Sequence, residues 1–175
     1  MRDRQAGFTL IEMMVVVAVI AILAAIALPG FFSESRKSKA FAEVQPMFND
    51  LRIRLEQFLQ ENGKYPVTSG EIATNPPGVP GTTRRALDLT QQEWKDLKVR
   101  VSGSDQVYCN YTWSTGLAND DANVSTQAKL LGFTKPTTDW YYLLAKCDMD
   151  GDHVKFSYYL SSSVNPEIQR LDEGN

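Results

Sequence analysis

The sequence predicts an α+β chain in which one long N-terminal α-helix packs on a four-stranded antiparallel β-sheet. Residues 8–62 are first apolar all round and then apolar at every third or fourth position, which is typical of a helix. Residues 63–175 are turn-rich and contain short runs of valine and aromatic residues, which are typical of strands. For 175 residues, we expect one compact domain with an appended helix.

The composition argues against several classes of function. Eighteen basic and 21 acidic residues give a net charge of −3, which offers no footprint for a nucleic acid. One histidine and two cysteines are too few for a structural zinc site of the Cys/His kind. The sequence has no Gly-x-Ser-x-Gly motif and no phosphate-binding glycine loop, so we expect that the protein is not an enzyme.

The N-terminal segment contains an uncharged run over residues 13–33, of which residues 13–28 are wholly apolar. As a helix the run is about 32 Å long, enough to cross a bilayer core of about 30 Å. It fits a secretory signal peptide cleaved at Ala25-Ile26-Ala27, with a mature start at Leu28, or a permanent anchor for an exported domain. A third interpretation depends on Glu12, because a carboxylate at the edge of a membrane helix is costly and indicates a partner.

The residues around that carboxylate carry a specific resemblance. The segment Gly7-Phe8-Thr9-Leu10-Ile11-Glu12, followed by the apolar run and Pro29, resembles the N-terminus of type IV pilins and the related pseudopilins. The resemblance covers residues 1–32 and implies the type IV pilin fold. It also implies that residues 1–7 are a leader, which a prepilin peptidase removes after Gly7, and that Phe8 becomes an N-methylated terminus.

In that family Glu12 would pair with the positive amine of Phe8 on a neighbouring subunit. Opposite charges attract strongly in the low-dielectric core of a fibre, and each alone would be costly there. One departure is Ala21, where many relatives carry glycine. Pro29, followed by Gly30, is then the remaining helix breaker, so unwinding of this helix in a filament is left open.

The long helix is expected to change character along its length. Residues 8–32 would lie in the membrane or the filament core, whereas residues 33–62 form an amphipathic half with Pro46 inside it. Asn62-Gly63 supplies a stop, since both residues tolerate positive φ. We expect the apolar stripe to pack on the sheet, with a coiled-coil contact to another subunit as the alternative. The stripe consists of Phe41, Val44, Phe48, Leu51, Leu55 and Phe58.

The globular remainder, residues 63–175, begins with an irregular Gly- and Pro-rich loop that reaches Thr83. Thr90-Gln91-Gln92-Glu93 predicts a capping box for a short helix with Trp94 and Leu97, and Ser125–Phe133 predicts another helical turn or two. Tyr141-Tyr142 and Tyr158-Tyr159 are expected to place one aromatic ring on each face of a strand. The predicted strands are Lys98–Val101, Gln106–Trp113, Trp140–Cys147 and Val154–Leu160.

The two cysteines, Cys109 and Cys147, both fall in predicted strands of the part that would be exported. An even pair in an exported domain indicates a disulfide, with two buried free thiols as the alternative. The family resemblance points the same way. Many type IVa pilins carry a disulfide that bounds a C-terminal region, whereas major pseudopilins usually lack one.

An acidic cluster, Asp148-Met149-Asp150-Gly151-Asp152, is the one ligand-like motif. Asp148, Asp150 and Asp152 match the first half of a calcium-binding EF-hand loop, but His153 and Tyr159 stand where glycine and a bidentate glutamate belong. A simple hairpin turn with Asp150-Gly151 at its tip explains the same residues. The sequence establishes no cofactor, and calcium is the only one that it suggests.

The resemblance implies a type IVa pilus subunit, held as a single-pass inner-membrane precursor and then polymerised with itself into an extracellular fibre. The fibres of this family serve adhesion, twitching motility or DNA uptake. A prepilin peptidase, an inner-membrane platform protein and an assembly ATPase are the implied partners. A pseudopilin of a type II secretion system, or an unrelated exported binding domain, is the alternative.

Overall fold

The computed structural model describes residues 9–99 and 105–171 of the chain. The chain divides into two compact units, Met1–Ser35 and Arg36–Asn175. The predicted α+β class is confirmed. The elements are α1 (Leu10–Asn62), β1 (Arg85–Ala86), α2 (Gln92–Asp96), β2 (Gln106–Val107), β3 (Asn110–Gly116), α3 (Thr126–Leu130), β4 (Trp140–Cys147), β5 (Ser157–Ser162) and β6 (Gln169–Leu171).

Helix α1 has 53 residues and continues through both Pro29 and Pro46. It ends at the predicted Asn62-Gly63 stop. Gly63 takes a φ of 72°, and its N–H donates to the Leu59 carbonyl at 2.7 Å. The Asn62 side chain donates to the Phe58 carbonyl at 2.9 Å, so two carbonyls of the last turn are satisfied.

The predicted stripe of α1 packs into the main core, as expected. Its central side chains, Val44, Phe48, Leu51 and Leu55, are at most 2% exposed, and Phe41 and Phe58 are partly buried against the same core. Ring contacts extend this packing to the sheet, since Phe48 meets Tyr111 of β3 edge to face at 6.3 Å between ring centroids. Burying each of these large side chains stabilises the fold by about 1.5–3 kcal/mol.

Among the described residues, the main sheet has four antiparallel strands in the order β3-β4-β5-β6. Strand β4 has the predicted bounds, whereas β5 begins three residues later than predicted. The register places Gly116 opposite Trp140, and Cys147 opposite Ser157. Strand β6 was not predicted, because its sequence Gln-Arg-Leu lacks the β-branched and aromatic residues typical of strands.

The predicted strand Lys98–Val101 is wrong where the structure describes it. Lys98 takes a φ of 51° just after α2. The Lys98 N–H donates to Lys95 and the Val99 N–H donates to Trp94, which together form a Schellman motif. Val99 is buried as the apolar contact that accompanies this motif, so its β-branched side chain stabilises a helix end. Residues 100 and 101 lie outside the described part.

The predicted capping box of α2 is also wrong. Helix α2 begins at Gln92, and the side chain of its N-cap residue, Gln91, makes no capping hydrogen bond. The backbone N–H and hydroxyl of Thr90 instead donate to the Asp88 carboxylate at 2.9 and 2.6 Å. The second short helix, α3, does have a side-chain cap, in which Ser125 Oγ accepts from the Ala128 N–H at 3.2 Å.

Both faces of the main sheet carry a core, as the alternating tyrosines predicted. Tyr141 and Tyr159 join the core that contains α1, whereas Tyr142 joins a second core on the opposite face. In the second core Phe133 packs edge to face on Trp140, with 5.1 Å between ring centroids. This packing explains why the seven residues of β3 and the eight of β4 are nearly all buried, although antiparallel sheets often leave one face in water.

Gly116 is required by the indole of Trp140. A Cβ atom at this position would lie within 2.9 Å of three indole atoms. We predict that Gly116→Ala lowers the free energy of unfolding by about 2 kcal/mol, because overpacking forces side chains off their rotamers. A urea melt measures the change. Gly81→Ala is the matched control, because its Cβ would make only an ordinary 3.4 Å contact; equal effects of the two substitutions would contradict the steric explanation.

Candidate assembly segment and surface site

The first part of α1 is apolar and exposed. Every described side chain from Leu10 to Phe32 is exposed, and Glu12 is the only charged residue in that range. By length and composition, α1 is the one described helix that is able to cross a membrane. An exposed apolar surface of this extent in water indicates a membrane or a protein partner.

Glu12 lies at the beginning of this helix and caps it. Its Oε2 accepts from the Thr9 N–H at 3.3 Å and from the Thr9 hydroxyl at 3.2 Å, while the Glu12 N–H donates back to Thr9 Oγ1 at 3.3 Å. Thr-x-x-Glu is a capping box, and this pattern is the sequence signal for the beginning of the helix. The predicted processing residues Gly7 and Phe8 lie outside the described residues.

The predicted Cys109–Cys147 disulfide is confirmed, with 4.4 Å between the two Cα atoms. The neighbouring pair in the β3–β4 register is Asn110 opposite Lys146, so the bridge lies one position beyond the end of that ladder. Both cysteines are fully buried. The bridge therefore fixes the end of the sheet at which the acidic loop begins.

Glu43 of α1 anchors the same end of the sheet to the helix, a role that the sequence did not reveal. Its two carboxylate oxygens accept from the Tyr108 N–H, both at 2.9 Å, and Oε1 also accepts from the Cys109 N–H at 3.0 Å. The Tyr111 hydroxyl donates to Oε1 at 2.9 Å. Burial, and then the Glu43 charge, raise the pKa of Tyr111 well above its usual value, so this hydroxyl stays a donor.

These hydrogen bonds also explain why the predicted strand Gln106–Trp113 is interrupted. The structure has β2 over Gln106–Val107, pairing with β1, and β3 from Asn110 onward. Between them, the N–H groups of Tyr108 and Cys109 donate to Glu43 rather than to a neighbouring strand. No local pattern in the sequence encodes a carboxylate 65 residues away.

We predict that Glu43→Ala lowers the free energy of unfolding by about 3 kcal/mol, because it leaves several buried donors without an acceptor. Chemical denaturation of the full chain in detergent measures this loss. Glu61→Ala is the control on the same helix, since the ion pair of Glu61 with Lys98, at 3.6 Å, is exposed. We expect the control to change stability by less than about 0.5 kcal/mol. An equally small effect of Glu43→Ala would contradict the anchoring role.

The predicted acidic turn joins β4 to β5 and is held by its own carboxylates. Asp148, which is 1% exposed, accepts from the Gly151 N–H at 2.7 Å and the His153 N–H at 3.2 Å. Its Oδ2 also lies 2.8 Å from His153 Nδ1. Asp152 accepts from the N–H groups of Val154 and Lys155, which hold the pKa of Asp152 below its usual value. Gly151 and His153 both take positive φ, which curls the loop.

The three predicted ligands do come together. Asp148, Asp150 and Asp152 each offer a carboxylate oxygen, and these oxygens lie within 4.8 Å of one another. Tyr159, at the twelfth loop position, is buried in β5, so the EF-hand resemblance stops at its first half. The hydrogen bonds of Asp148 favour the simple turn, and calcium binding stays a prediction.

If calcium binds here, it raises the melting temperature of the chain, since a ligand at one hundred times its Kd stabilises the folded state by about 2.7 kcal/mol. Melting in millimolar calcium is compared with melting in a chelator. Asp150→Asn and Asp152→Asn are expected to abolish the increase, because each replaces a carboxylate of the cluster with a neutral amide. Both side chains lie outside the core, so neither substitution disturbs the packing. Equal melting temperatures in the two buffers would assign the aspartates to the turn alone.

Comparisons with known proteins agree with this arrangement. Residues 2–28 match the family model described as the prokaryotic N-terminal methylation motif. A fimbrial protein of Dichelobacter nodosus is 32% identical over 120 residues, which are 69% of this chain and 74% of that protein. The type IV major fimbrial protein FimA of the same organism is 31% identical over 120 residues, which are again 69% of this chain and 74% of that protein.

A further relative matches over a shorter stretch. The type IV major pilin protein PilA of Myxococcus xanthus is 41% identical over 73 residues, which are 42% of this chain and 33% of that protein. No solved structure matches the chain. The N-terminal motif, the long helix and sheet, and relatives matched over 74% of their length together show that the chain belongs to the type IV pilin family.

Proposed function

We propose that this chain is the structural subunit of a type IV pilus, made as a membrane-anchored precursor and polymerised through its N-terminal helix into a surface fibre. The observation that carries the proposal is the exposed, wholly apolar surface of residues 13–28, with the single carboxylate of Glu12 just before it. A helix that is apolar all round requires lipid or other apolar helices around it. The same segment therefore serves first as anchor and then as filament core.

Processing prepares that segment for assembly. We propose that a prepilin peptidase cleaves after Gly7 and that Phe8 becomes the N-methylated mature terminus, in line with the N-terminal methylation motif over residues 2–28. Cleavage also removes the basic residues Arg2 and Arg4, which would be costly in an apolar fibre core.

Assembly then depends on Glu12 and Pro29. The Glu12 carboxylate would pair with the amine of Phe8 on the next subunit and fix one axial register. Pro29 lies inside α1, where its lack of an N–H weakens the helix at one point. A platform protein and an assembly ATPase in the inner membrane are the proposed partners of this step.

The names of the relatives favour a pilus over a secretion pseudopilus, since they are fimbrial proteins and major pilins. The proposed role is structural, without catalysis. Deleting the gene and complementing it tests the proposal. Loss of surface fibres in electron micrographs with normal secretion of exoproteins supports it, whereas normal fibres with lost secretion would select a type II pseudopilin. Scoring the same strains for adhesion, twitching and DNA uptake assigns the fibre's use.

A further inference from the structure

A cluster of positive charge lies in the second unit, around the ring of Tyr108. Lys39 Nζ is 4.1 Å from the ring centroid, and Arg84 Cζ is 5.0 Å from the same centroid. Lys39 comes from α1 and Arg84 comes from the segment just before β1, so the fold brings together two cations that are 45 residues apart in the sequence. Both side chains are exposed. Hydrogen bonds, first from Lys39, lower the pKa of Tyr108.

The two cations border a cavity of about 270 Å³. Ala42, Pro46 and Met47 of α1 give its wall an apolar part. Two carboxylates, Glu43 and Asp50, also line it and balance the two cations in net charge, whereas the two cations meet at the ring of Tyr108. Glu43 directs both oxygens to backbone N–H groups and to the Tyr111 hydroxyl. Asp50 is eleven residues after Lys39, which is about 16 Å along the helix.

The position of this cluster in the sequence indicates that its binding partner is a membrane surface. The uncharged run ends at Ser33, and Lys39 follows six residues later. Six residues reach at most about 22 Å even when fully extended, so Lys39 lies no farther than that from the membrane surface whenever the run spans the bilayer. Arg36 and Lys37 precede it and add positive charge, and Glu34, directly after the run, contributes one negative charge. Clusters of Lys and Arg next to a membrane span attract anionic lipid headgroups.

We propose that Lys39 and Arg84, which both contact the ring of Tyr108, bind the phosphate of an anionic phospholipid headgroup at the membrane surface. This inference rests on the membrane-anchored precursor of the proposed function. The guanidinium fork of Arg84 suits two phosphate oxygens, and the ammonium of Lys39 supplies a second charge. The apolar wall of the cavity accommodates the glycerol and the first methylene groups of the lipid.

Arg84 distinguishes this site from a general attraction of basic residues to the membrane. Arg36, Lys37 and Lys39 are adjacent to the span by sequence alone, whereas Arg84 reaches the same place only through the fold. A folded site therefore depends on Arg84. If the effect were only juxtamembrane charge, lipid binding would depend on the three neighbouring basic residues and would not change when Arg84 is replaced.

The test uses the full chain in a neutral detergent, with native mass spectrometry to measure binding of phosphatidylglycerol and phosphatidylcholine. We expect phosphatidylglycerol to bind more tightly, and Arg84→Gln and Lys39→Gln each to weaken it by about fivefold. Lys129→Gln, which removes an exposed cation on α3, is the matched control and should bind like the original chain. Equal binding of the two lipids, or an Arg84→Gln variant that binds phosphatidylglycerol normally, overturns the proposal.

A second arm separates a lipid headgroup from free phosphate. Millimolar inorganic phosphate should leave the bound lipid in place, because it cannot use the apolar wall; displacement of the lipid by phosphate would overturn a lipid-specific site. Flotation of the chain with phosphatidylcholine vesicles tests the anchor by itself. A chain that floats but shows no anionic preference overturns only this inference, whereas a chain that fails to float contradicts the anchor in the proposed function.

Discussion

Replacing Glu12 with alanine is expected to reduce the amount of surface fibre by at least about tenfold while the second unit, Arg36–Asn175, stays folded. Removing one partner of a buried ion pair costs about 3–5 kcal/mol, and each 1.4 kcal/mol changes an equilibrium tenfold. In the variant the amine of Phe8 would enter the fibre core without its partner. Shearing fibres from cells and quantifying the subunit by immunoblot measures the loss, with total cellular subunit as the reference.

The structure gives this experiment a sharper control, because Glu12 also caps α1 through Thr9. Glu12→Gln retains an oxygen that accepts the same hydrogen bonds, since glutamine also serves in a capping box, but it removes the charge. The charge-pairing account predicts that Glu12→Gln assembles as poorly as Glu12→Ala. Normal fibre yield with glutamine would assign the residue to helix capping and would contradict the ion pair.

Replacing both cysteines with alanine is expected to lower the free energy of unfolding by about 4 kcal/mol and the melting temperature by on the order of 10 °C. The bridge spans a sequence separation of 38 residues, and the denatured chain gains the entropy of that loop when the bridge is absent. Calorimetry of the original chain and of the Cys109→Ala/Cys147→Ala variant measures the difference.

Reducing agent provides the control for that comparison. It should lower the melting temperature of the original chain toward that of the double variant and leave the variant unchanged. Because the β3–β4 ladder already aligns Asn110 with Lys146, the two cysteines would remain neighbours without the bond. A loss below about 1 kcal/mol would show that the ladder and Glu43 hold this end without help from the disulfide.

Those parts of the fold that depend on periodicity could be predicted from the sequence. The stripe of α1 repeats every three or four residues, and its members are buried or partly buried as expected. Strand β4 is a run of aromatic and aliphatic residues with the predicted bounds. Helix α1 also ends at Asn62-Gly63 as predicted, because a positive φ at a helix end is a local property of the chain.

The other parts depend on contacts between distant residues. Val99 resembles a strand residue, but it caps α2 because Lys98 turns the chain with a positive φ. Glu43 resembles a surface residue of an amphipathic helix, yet it accepts the N–H groups that would have continued β2 into β3. In the candidate sites, the acidic turn could be predicted because its three aspartates are close in sequence, whereas Lys39 and Arg84 meet at Tyr108 only after folding.

Mass spectrometry of fibres sheared from the cell surface tests the central claim most directly. The account predicts that this chain is present in the fibres, begins at N-methylated Phe8 and carries the Cys109–Cys147 bridge. Intact mass and peptide mapping report all three features in one preparation. Fibres that lack the chain, or a mature chain that begins at Leu28, would contradict assembly through the N-terminal helix.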